Sequence, residues 1–444
     1  MKFHNRKEEL KFFREKLGSD QAEFIALYGR RRVGKSRLMK KVLQETKGIY
    51  HLVSRESEKD QIQEFKQSIG QKYPGIEDIR NDWEPVLRFT AENCKTVVID
   101  EFPYLIETDE EILKILQKTW DEEMKQKDTN MVLTGSSISM MESKVLGYES
   151  PLYGRRTGQW HLKPFEYNQI SPFLPDYSKE DIIRTYAILG GTPYYLEQFN
   201  PEIRLPENIH QHILKKGSVL REEAEGLLQQ ELREPKNYFS ILKAVARGKT
   251  KFNEIKNETG IPQNSVSKYL KTLQNLHIIQ KRLPVTASEK SKRGRYRIKD
   301  NYFRFWFRYI FPNRTELEQN TENVLQNKIK PELDRYVSRP FEDICRSHVR
   351  QTKEYEKVGS WWYQENEIDV AAVNHRQNRL LLGECKWTSQ PAGRKTLEKL
   401  REKSEKVEWK NSQRKTEYII FSRNGFTEQL KQQDTELKNV EDLL

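Results

Sequence analysis

Eight consecutive residues, Gly29-Arg30-Arg31-Arg32-Val33-Gly34-Lys35-Ser36, have the G-x-x-x-x-G-K-[ST] spacing of a phosphate-binding loop. The glycines let backbone N–H groups wrap an anion, Lys35 can reach the outer phosphates, and the Ser36 hydroxyl is a ligand for Mg²⁺. These eight residues and Arg37, the next along, form the candidate nucleotide cradle. Asp100-Glu101 follows 65 residues after Lys35, at the end of the apolar run Thr96-Val97-Val98-Ile99. Asp100 is suited to hold Mg²⁺ through water and Glu101 to polarise an attacking water, so the pair predicts ATP hydrolysis and not binding alone. Ser136, in Gly135-Ser136-Ser137 after the run Met131–Thr134, is placed either to sense a γ phosphate or simply to form a turn.

A second constellation lies near the C-terminus. Asp369, a gap of 14 residues, then Glu384-Cys385-Lys386 is the PD-(D/E)xK nuclease pattern with Ile368 in place of its leading proline. On a strand, residues i and i+2 share a face, so Glu384 and Lys386 enter one cleft while Cys385 turns to the core. Asp369 and Glu384 would share Mg²⁺ for attack on a phosphodiester, Lys386 would orient the water and stabilise developing charge, and Glu342 could complete the metal shell. In a chain with 32% charged residues such a pattern also arises as a surface hairpin. What sets this copy apart is that Glu384 follows three leucines and a glycine, and a charge entering so apolar a strand needs a reason.

The elements that must position these groups are legible in part. Phe24–Tyr28 reads as a buried strand before the phosphate loop, and Leu38, Met39, Val42 and Leu43 supply the apolar stripe of the helix after it. Residues 367–373 and 380–387 read as two strands. Between the two sites, residues 236–310 hold 18 Lys and Arg against 4 Asp and Glu, a balance of +14 in a chain whose total is +12. So local an excess points to a polyanion partner. Three short helices are expected there, the third with Val266, Tyr269, Leu270, Leu273 and Leu276 buried, followed by two strands with a basic tip. The segment resembles a winged helix. Asn264, Ser265, Lys268 and Lys271 of its third helix and Lys292, Arg293 and Arg295 of its wing are the candidate DNA contacts, to double-stranded DNA. The aromatics from Tyr302 to Phe311 read as core.

At about 150 residues per domain, 444 residues suggest about three domains. No apolar run approaches the ~18 residues of a membrane span, and the three cysteines show neither metal-site nor disulfide spacing. The expectation is a cytoplasmic protein with no membrane partner.

Taken in order, Phe3-x-Asn5-Arg6-x-x-Glu9-Leu10, the Gly29–Ser36 loop, Asp100-Glu101-Phe102, Gly135-Ser136-Ser137, Leu152-Tyr153-Gly154-Arg155 and Gly190-Gly191-Thr192-Pro193 resemble the archaeal-type ATPase family, an AAA-related, STAND-like P-loop class. The resemblance covers about residues 1–235 and implies a parallel α/β sheet with a helical lid. It places Asn5 and Arg6 near the base, sets Arg155 or Arg156 against a phosphate in cis or from a neighbouring subunit, and lets Pro193 close over the adenine. Without it, Arg155-Arg156 is a solvated pair and the glycine-rich segment a tight turn. The C-terminal part resembles the restriction-endonuclease-like domain that often ends this family.

The expected organisation is a P-loop ATPase core (1–160), helical lid (161–235), winged helix (236–312), connector (313–330) and α/β nuclease-like domain (331–444). ATP and Mg²⁺ are the expected cofactors, and nucleotide-dependent self-association is a further expectation. The competing function is an ATP-dependent signalling or transcriptional switch whose nuclease-like domain only binds DNA or a partner.

Overall fold

Phe24-Ile25-Ala26-Leu27-Tyr28 is buried along its whole length, as are Thr96–Asp100 and Asn130–Gly135, the condition of strands covered on both faces. A computed structural model, describing residues 3–46, 48–232 and 234–444, assembles these runs into a parallel sheet. Its strands are β1 (Phe24–Tyr28), β2 (Ile49–Leu52), β3 (Thr96–Asp100), β4 (Asn130–Gly135) and β5 (Gly158–His161), ordered β2-β3-β4-β1-β5. Every pairing is parallel, so all the strand ends that carry chemistry lie along one edge. Ile25, Leu27, Val98 and Val132 face the helices Lys7–Leu17 and Lys35–Leu43, while Phe24, Ala26, Val97, Ile99, Met131 and Leu133 fill the other face. β4 lies between β1 and β3. The phosphate loop after β1 and the acids after β3 are therefore two strand spacings apart, about 10 Å, with Ser136 between them. This unit ends at Pro164.

The second unit, Phe165–Leu444, holds everything else. One hydrophobic core runs from Phe165 through Leu220, Phe239, Leu270 and Trp306 to Ile329, so the expected boundary between lid and winged helix at 235/236 falls inside a shared core. The winged helix comprises helices Pro235–Ala246, Phe252–Thr259 and Gln263–Asn275 and the antiparallel pair β6 (Ile279–Arg282) and β7 (Arg295–Ile298). Tyr302, Phe303, Phe305, Trp306, Phe307 and Tyr309 are buried, with the Trp306 indole N–H donating to the Arg221 carbonyl at 2.7 Å. Residues 313–330 are not the polar connector expected. They coil into short helical segments that put Leu317, Val324, Leu325 and Ile329 into the core, because these few apolar side chains recur at helical spacing among the polar ones.

The C-terminal sheet has the order β12-β11-β10-β9-β8, from β8 (Lys357–Tyr363), β9 (Asn366–Asn374), β10 (Arg379–Lys386), β11 (Lys415–Ser422) and β12 (Glu436–Asn439). β8, β9 and β10 are antiparallel neighbours, and β10, β11 and β12 are parallel. Val370, Ala372 and Leu381 pack with Phe341 and Ile344 of the helix Leu333–Thr352, while Ile368, Ala371, Leu380 and Leu382 pack on the other face with Leu400 of the helix Arg394–Glu405. Gly359 is opposite Ala371 and Trp361 opposite Ile368, so β9 carries one extra residue at Asp369-Val370. Such a bulge re-aims a side chain, here Asp369. Among the described residues no helix is long and apolar enough to cross a membrane.

Candidate functional site

The phosphate loop leaves β1 at Gly29, where an added Cβ would stand 2.2 Å from the Leu162 carbonyl oxygen, so only glycine fits. Arg32 (φ 70°) and Gly34 (φ 96°) take left-handed conformations that curl the loop onto the helix Lys35–Leu43. Lys35 is buried, and its Nζ donates to the Gly29 carbonyl at 2.9 Å and the Arg30 carbonyl at 3.4 Å. Burial lowers its pKa, opposed by the charges of Glu101 and Asp100. Val33 is in the core, the Arg31 guanidinium donates to the Tyr104 hydroxyl, and Arg30 and Arg37 lie on the loop and the first turn of the helix.

Asn5 and Arg6 both adopt left-handed backbone conformations just before the helix Lys7–Leu17. Arg6 is buried and donates to the Val33 carbonyl at 3.1 Å and to Glu9 at 2.8 Å, so it braces the phosphate loop from within. A buried charge-assisted bond of this kind contributes about 2 kcal/mol. Arg6→Ala is therefore expected to lower unfolding stability by about that amount and to weaken ATP binding, measured by denaturant unfolding and nucleotide titration.

Asp100 is fully buried and gathers four donors. Ser36 Oγ and the Tyr50 hydroxyl donate to its Oδ2, each at 2.5 Å, while Thr134 Oγ1 and the Glu101 amide donate to its Oδ1. The Ser36 hydroxyl and the Asp100 carboxylate converge on one point beside the loop, a hard oxygen pair that fits Mg²⁺. Glu101 has φ 56°, and its Oε2 accepts from the Ser136 amide at 3.1 Å and the Ser136 hydroxyl at 2.6 Å. Ser136 thus touches Glu101 directly. Tyr50 and Thr134 went unnoticed in sequence because only the pairing of their strands with β3 brings them to Asp100.

Arg155 and Arg156 precede β5, whose start pairs with the beginning of β1, four residues of strand before the phosphate loop. Arg155 pairs with Asp121 at 2.8 Å and Arg156 donates to the Leu146 carbonyl at 3.1 Å. For Arg155 this placement works against a phosphate contact in cis, since a parallel sheet sets strand beginnings and strand ends at opposite edges, whereas the Arg156 charge acts on Tyr28 at the end of β1. Pro193 opens the helix Pro193–Leu196 in the second unit. The glycine before that turn has a steric role: a Cβ on Gly191 would stand 1.8 Å from the Phe165 carbonyl oxygen.

In the C-terminal sheet, the β9–β10 ladder ends at Gly383 opposite Val370, and beyond it the two strands present their acids. Asp369 Oδ2 accepts from the Cys385 amide at 2.9 Å. Glu384 is gripped at both oxygens, by Lys386 at 3.0 Å and by Lys403 of the helix Arg394–Glu405 at 3.0 Å. Burial, and next the negative charges of Glu342 and Glu384, push Asp369 well above the usual carboxylate range. Burial likewise raises Glu342, against the opposing charges of Arg346 and Arg297. Burial alone would lower Lys386, but the charge and hydrogen bond of Glu384 outweigh it.

The Glu342 charge acts on Asp369, but as the side chains stand Glu342 does not gather with Asp369 and Glu384 into one cluster. Among the described residues no three His, Cys, Asp or Glu side chains gather closely enough to hold one ion. The reason is the sheet: Glu342 comes from the helix on the Cys385 face and lies 3.5 Å from buried Arg346, whereas Glu384 shares its face with Leu380 and Leu382. Asp369 and Glu384 remain as a pair. Mg²⁺ is commonly held by one or two carboxylates with several waters, and a cation would offset the mutual repulsion of neighbouring carboxylates, so the donor set fits.

That strain has a measurable sign. Because Asp369 is raised, its contribution to stability is full below the ordinary carboxylate pKa and is lost as pH rises through the raised value. Asp369→Asn is accordingly expected to melt about 2–4 °C higher than wild type at pH 8 in EDTA, with the gap closing near pH 4. Thermal unfolding at the two pH values checks it.

Of the candidate DNA contacts, Asn264, Lys268, Lys271, Lys292 and Arg293 are exposed and Ser265 is half-buried. Arg295 is not free for DNA here: it pairs with Glu367 of β9 at 2.8 Å, because the wing lies against the C-terminal sheet.

Residues 3–199 match an ATPase domain predominantly from Archaea, residues 239–281 the arsR family of bacterial regulatory proteins, and residues 306–406 archaeal and bacterial proteins of unknown function. An uncharacterised protein of Methanocaldococcus jannaschii is 37% identical over 394 residues, 87% of each chain. The chain belongs to the archaeal-type P-loop ATPase family. This archaeal-type ATPase also shares 56% identity over 45 residues, 10% of its length, with an uncharacterised ATP-binding protein of the same organism, covering 76% of that chain. Its fold resembles the Walker-type ATPase of Pyrococcus abyssi, with a TM-score of 0.52 at 23% identity over 69% of this chain and 96% of that one. The family thus carries, in this chain, a nucleotide-binding ATPase domain, a helix-turn-helix of the DNA-binding type and an α/β C-terminal domain.

Proposed function

We propose that this protein is an ATP-hydrolysing, DNA-binding switch whose C-terminal domain cleaves DNA with Mg²⁺. The observation that carries the nuclease part is the junction of Asp369, Glu384 and Lys386 at the open, bulged end of the β9–β10 hairpin. Bound there, Mg²⁺ would supply charge compensation at the phosphodiester and a more acidic water. Asp369, fixed by the Cys385 amide, and Glu384 are the residues that would hold the cation, and Lys386, released from Glu384, would hold the attacking water and meet the developing negative charge. In the ATPase half Lys35 binds the outer phosphates, Ser36 and Asp100 position Mg²⁺, and Glu101 takes the proton of the attacking water while Ser136 couples it to the γ-phosphate side. Arg155 or Arg156 would serve a neighbouring subunit's nucleotide.

Asn264, Lys268 and Lys271 on the exposed face of the helix Gln263–Asn275 are the groove-facing side chains, for duplex DNA. The functional divisions are the ATPase core (1–160), the lid and winged helix with the segment 313–330 sharing one core, and the nuclease-like domain (331–444). One observation favours a second reading, a regulatory ATPase whose C-terminal domain binds without cutting: Lys386 and Lys403 already neutralise Glu384. Incubation of circular single- and double-stranded DNA with Mg²⁺ or Mn²⁺, with and without ATP, separates the two. Metal-dependent nicking or linearisation is expected. Intact circles with retained ATP hydrolysis and DNA binding would establish the regulatory protein.

A further inference from the structure

The two strands of the wing carry arginine opposite arginine. Arg282 is in register with Arg295, and Arg297, two residues along β7, shares the face of Arg295. Like charges directly opposite on a ribbon are destabilising unless an anion meets them. Here carboxylates do so: Arg295 pairs with Glu367 at 2.8 Å, Arg297 lies 3.6 Å from the same group, and Arg282 pairs with Asp343 at 2.7 Å. The Arg297 NH1 group is buried and still lacks an acceptor among the described residues. The wing loop is seated as well. The Val285 amide donates to the Ser360 carbonyl of β8 at 2.9 Å, and the Trp362 indole N–H donates to the Arg293 carbonyl at 3.1 Å, with the Arg295 guanidinium 4.6 Å from the Trp362 ring centre. Glu367 is two residues from Asp369, and Asp343 adjoins Glu342, so the seated wing is paired with the acids that flank the candidate nuclease residues in the chain.

We propose that the wing's arginine face is a DNA-backbone surface held in reserve, with carboxylates standing in for phosphates, so that duplex DNA and the C-terminal domain compete for it and DNA engagement frees the acids flanking the Asp369–Glu384 site. The effect on that site rests on the nuclease reading above; the competition does not. A carboxylate offers a guanidinium the same two-oxygen face as a phosphate, and a duplex adds counterion release, which grows with the number of phosphates met. DNA therefore wins the arginines when salt is low.

The wing can be locked for a test. A Cβ on Gly359 would lie 3.8 Å from the Val285 Cβ, the usual separation across a disulfide. Full-length protein with Val285→Cys and Gly359→Cys is titrated with a fluorescent random-sequence duplex in EDTA, oxidised and reduced, beside wild type treated identically. Oxidation is expected to weaken binding about tenfold and to flatten its salt dependence, with recovery on reduction. Glu367→Gln, which frees Arg295 and Arg297, is expected to tighten binding about threefold to tenfold. Equal affinity of the oxidised and reduced forms, with Glu367→Gln binding like wild type, would overturn the competition. In Mg²⁺ the reduced form should cut and the oxidised form should not. Absence of cutting by every form, with the binding differences intact, counts against the nuclease reading alone.

Discussion

Glu101→Gln is expected to keep ATP binding and to lower turnover by about two to four orders of magnitude, the usual contribution of a general base. The amide keeps the size and the acceptor oxygen that Ser136 engages at 2.6 Å, so the β3 edge and the fully buried Asp100 beside it are left in place. What is lost is the capacity to take a proton. Lys35→Ala acts at an earlier step. It removes the one buried ammonium folded against the Gly29 and Arg30 carbonyls, the charge placed to reach the outer phosphates, and ATP binding itself should vanish. Nucleotide titration and steady-state hydrolysis distinguish the two variants. Normal hydrolysis by Glu101→Gln would remove Glu101 from its role.

Glu384→Ala should abolish metal-dependent DNA cleavage while ATP hydrolysis and duplex binding persist. Three consequences converge on one truncation. A candidate ligand is lost, Lys386 loses its 3.0 Å partner and its orientation, and Lys403 is left without its own. Losing a metal ligand together with a positioned lysine removes both the charge compensation at the phosphate and the ordering of the water. Cleavage of circular DNA by wild type and variant measures the effect, and residual cutting by Glu384→Ala at the wild-type rate would place the chemistry elsewhere. The two sites lie in different units of the chain, so the expected persistence of ATP hydrolysis is also a check that the substitution acts locally.

Much of this protein is local in its chemistry, and local chemistry is readable. The phosphate loop needs a strand end, two glycines and a helix start within eight residues, and its geometry follows from those neighbours. The edges of β9 and β10 lie within one residue of the strands expected, because apolar runs bounded by turn residues specify a buried strand without outside help. The spacing of Glu384 and Lys386 places them on one face for the same reason.

Long-range partners are another matter. That Tyr50 and Thr134 donate to Asp100, that Arg6 braces Val33, and that Lys403 holds Glu384 depend on which strands and helices become neighbours, a choice made by the summed burial of whole faces. The same choice put Glu342 on the opposite side of the sheet from Glu384, sent residues 313–330 into a core, and set Arg155 at the far edge from the phosphate loop. It also seated the basic wing on acids more than 60 residues away in sequence, as with Arg295 and Glu367 at a separation of 72. Charge composition announces that such a surface exists. Its partner in the folded chain is decided by tertiary packing, since the electrostatic pull of a guanidinium is short-ranged in water and acts only on the carboxylates that the fold delivers to it.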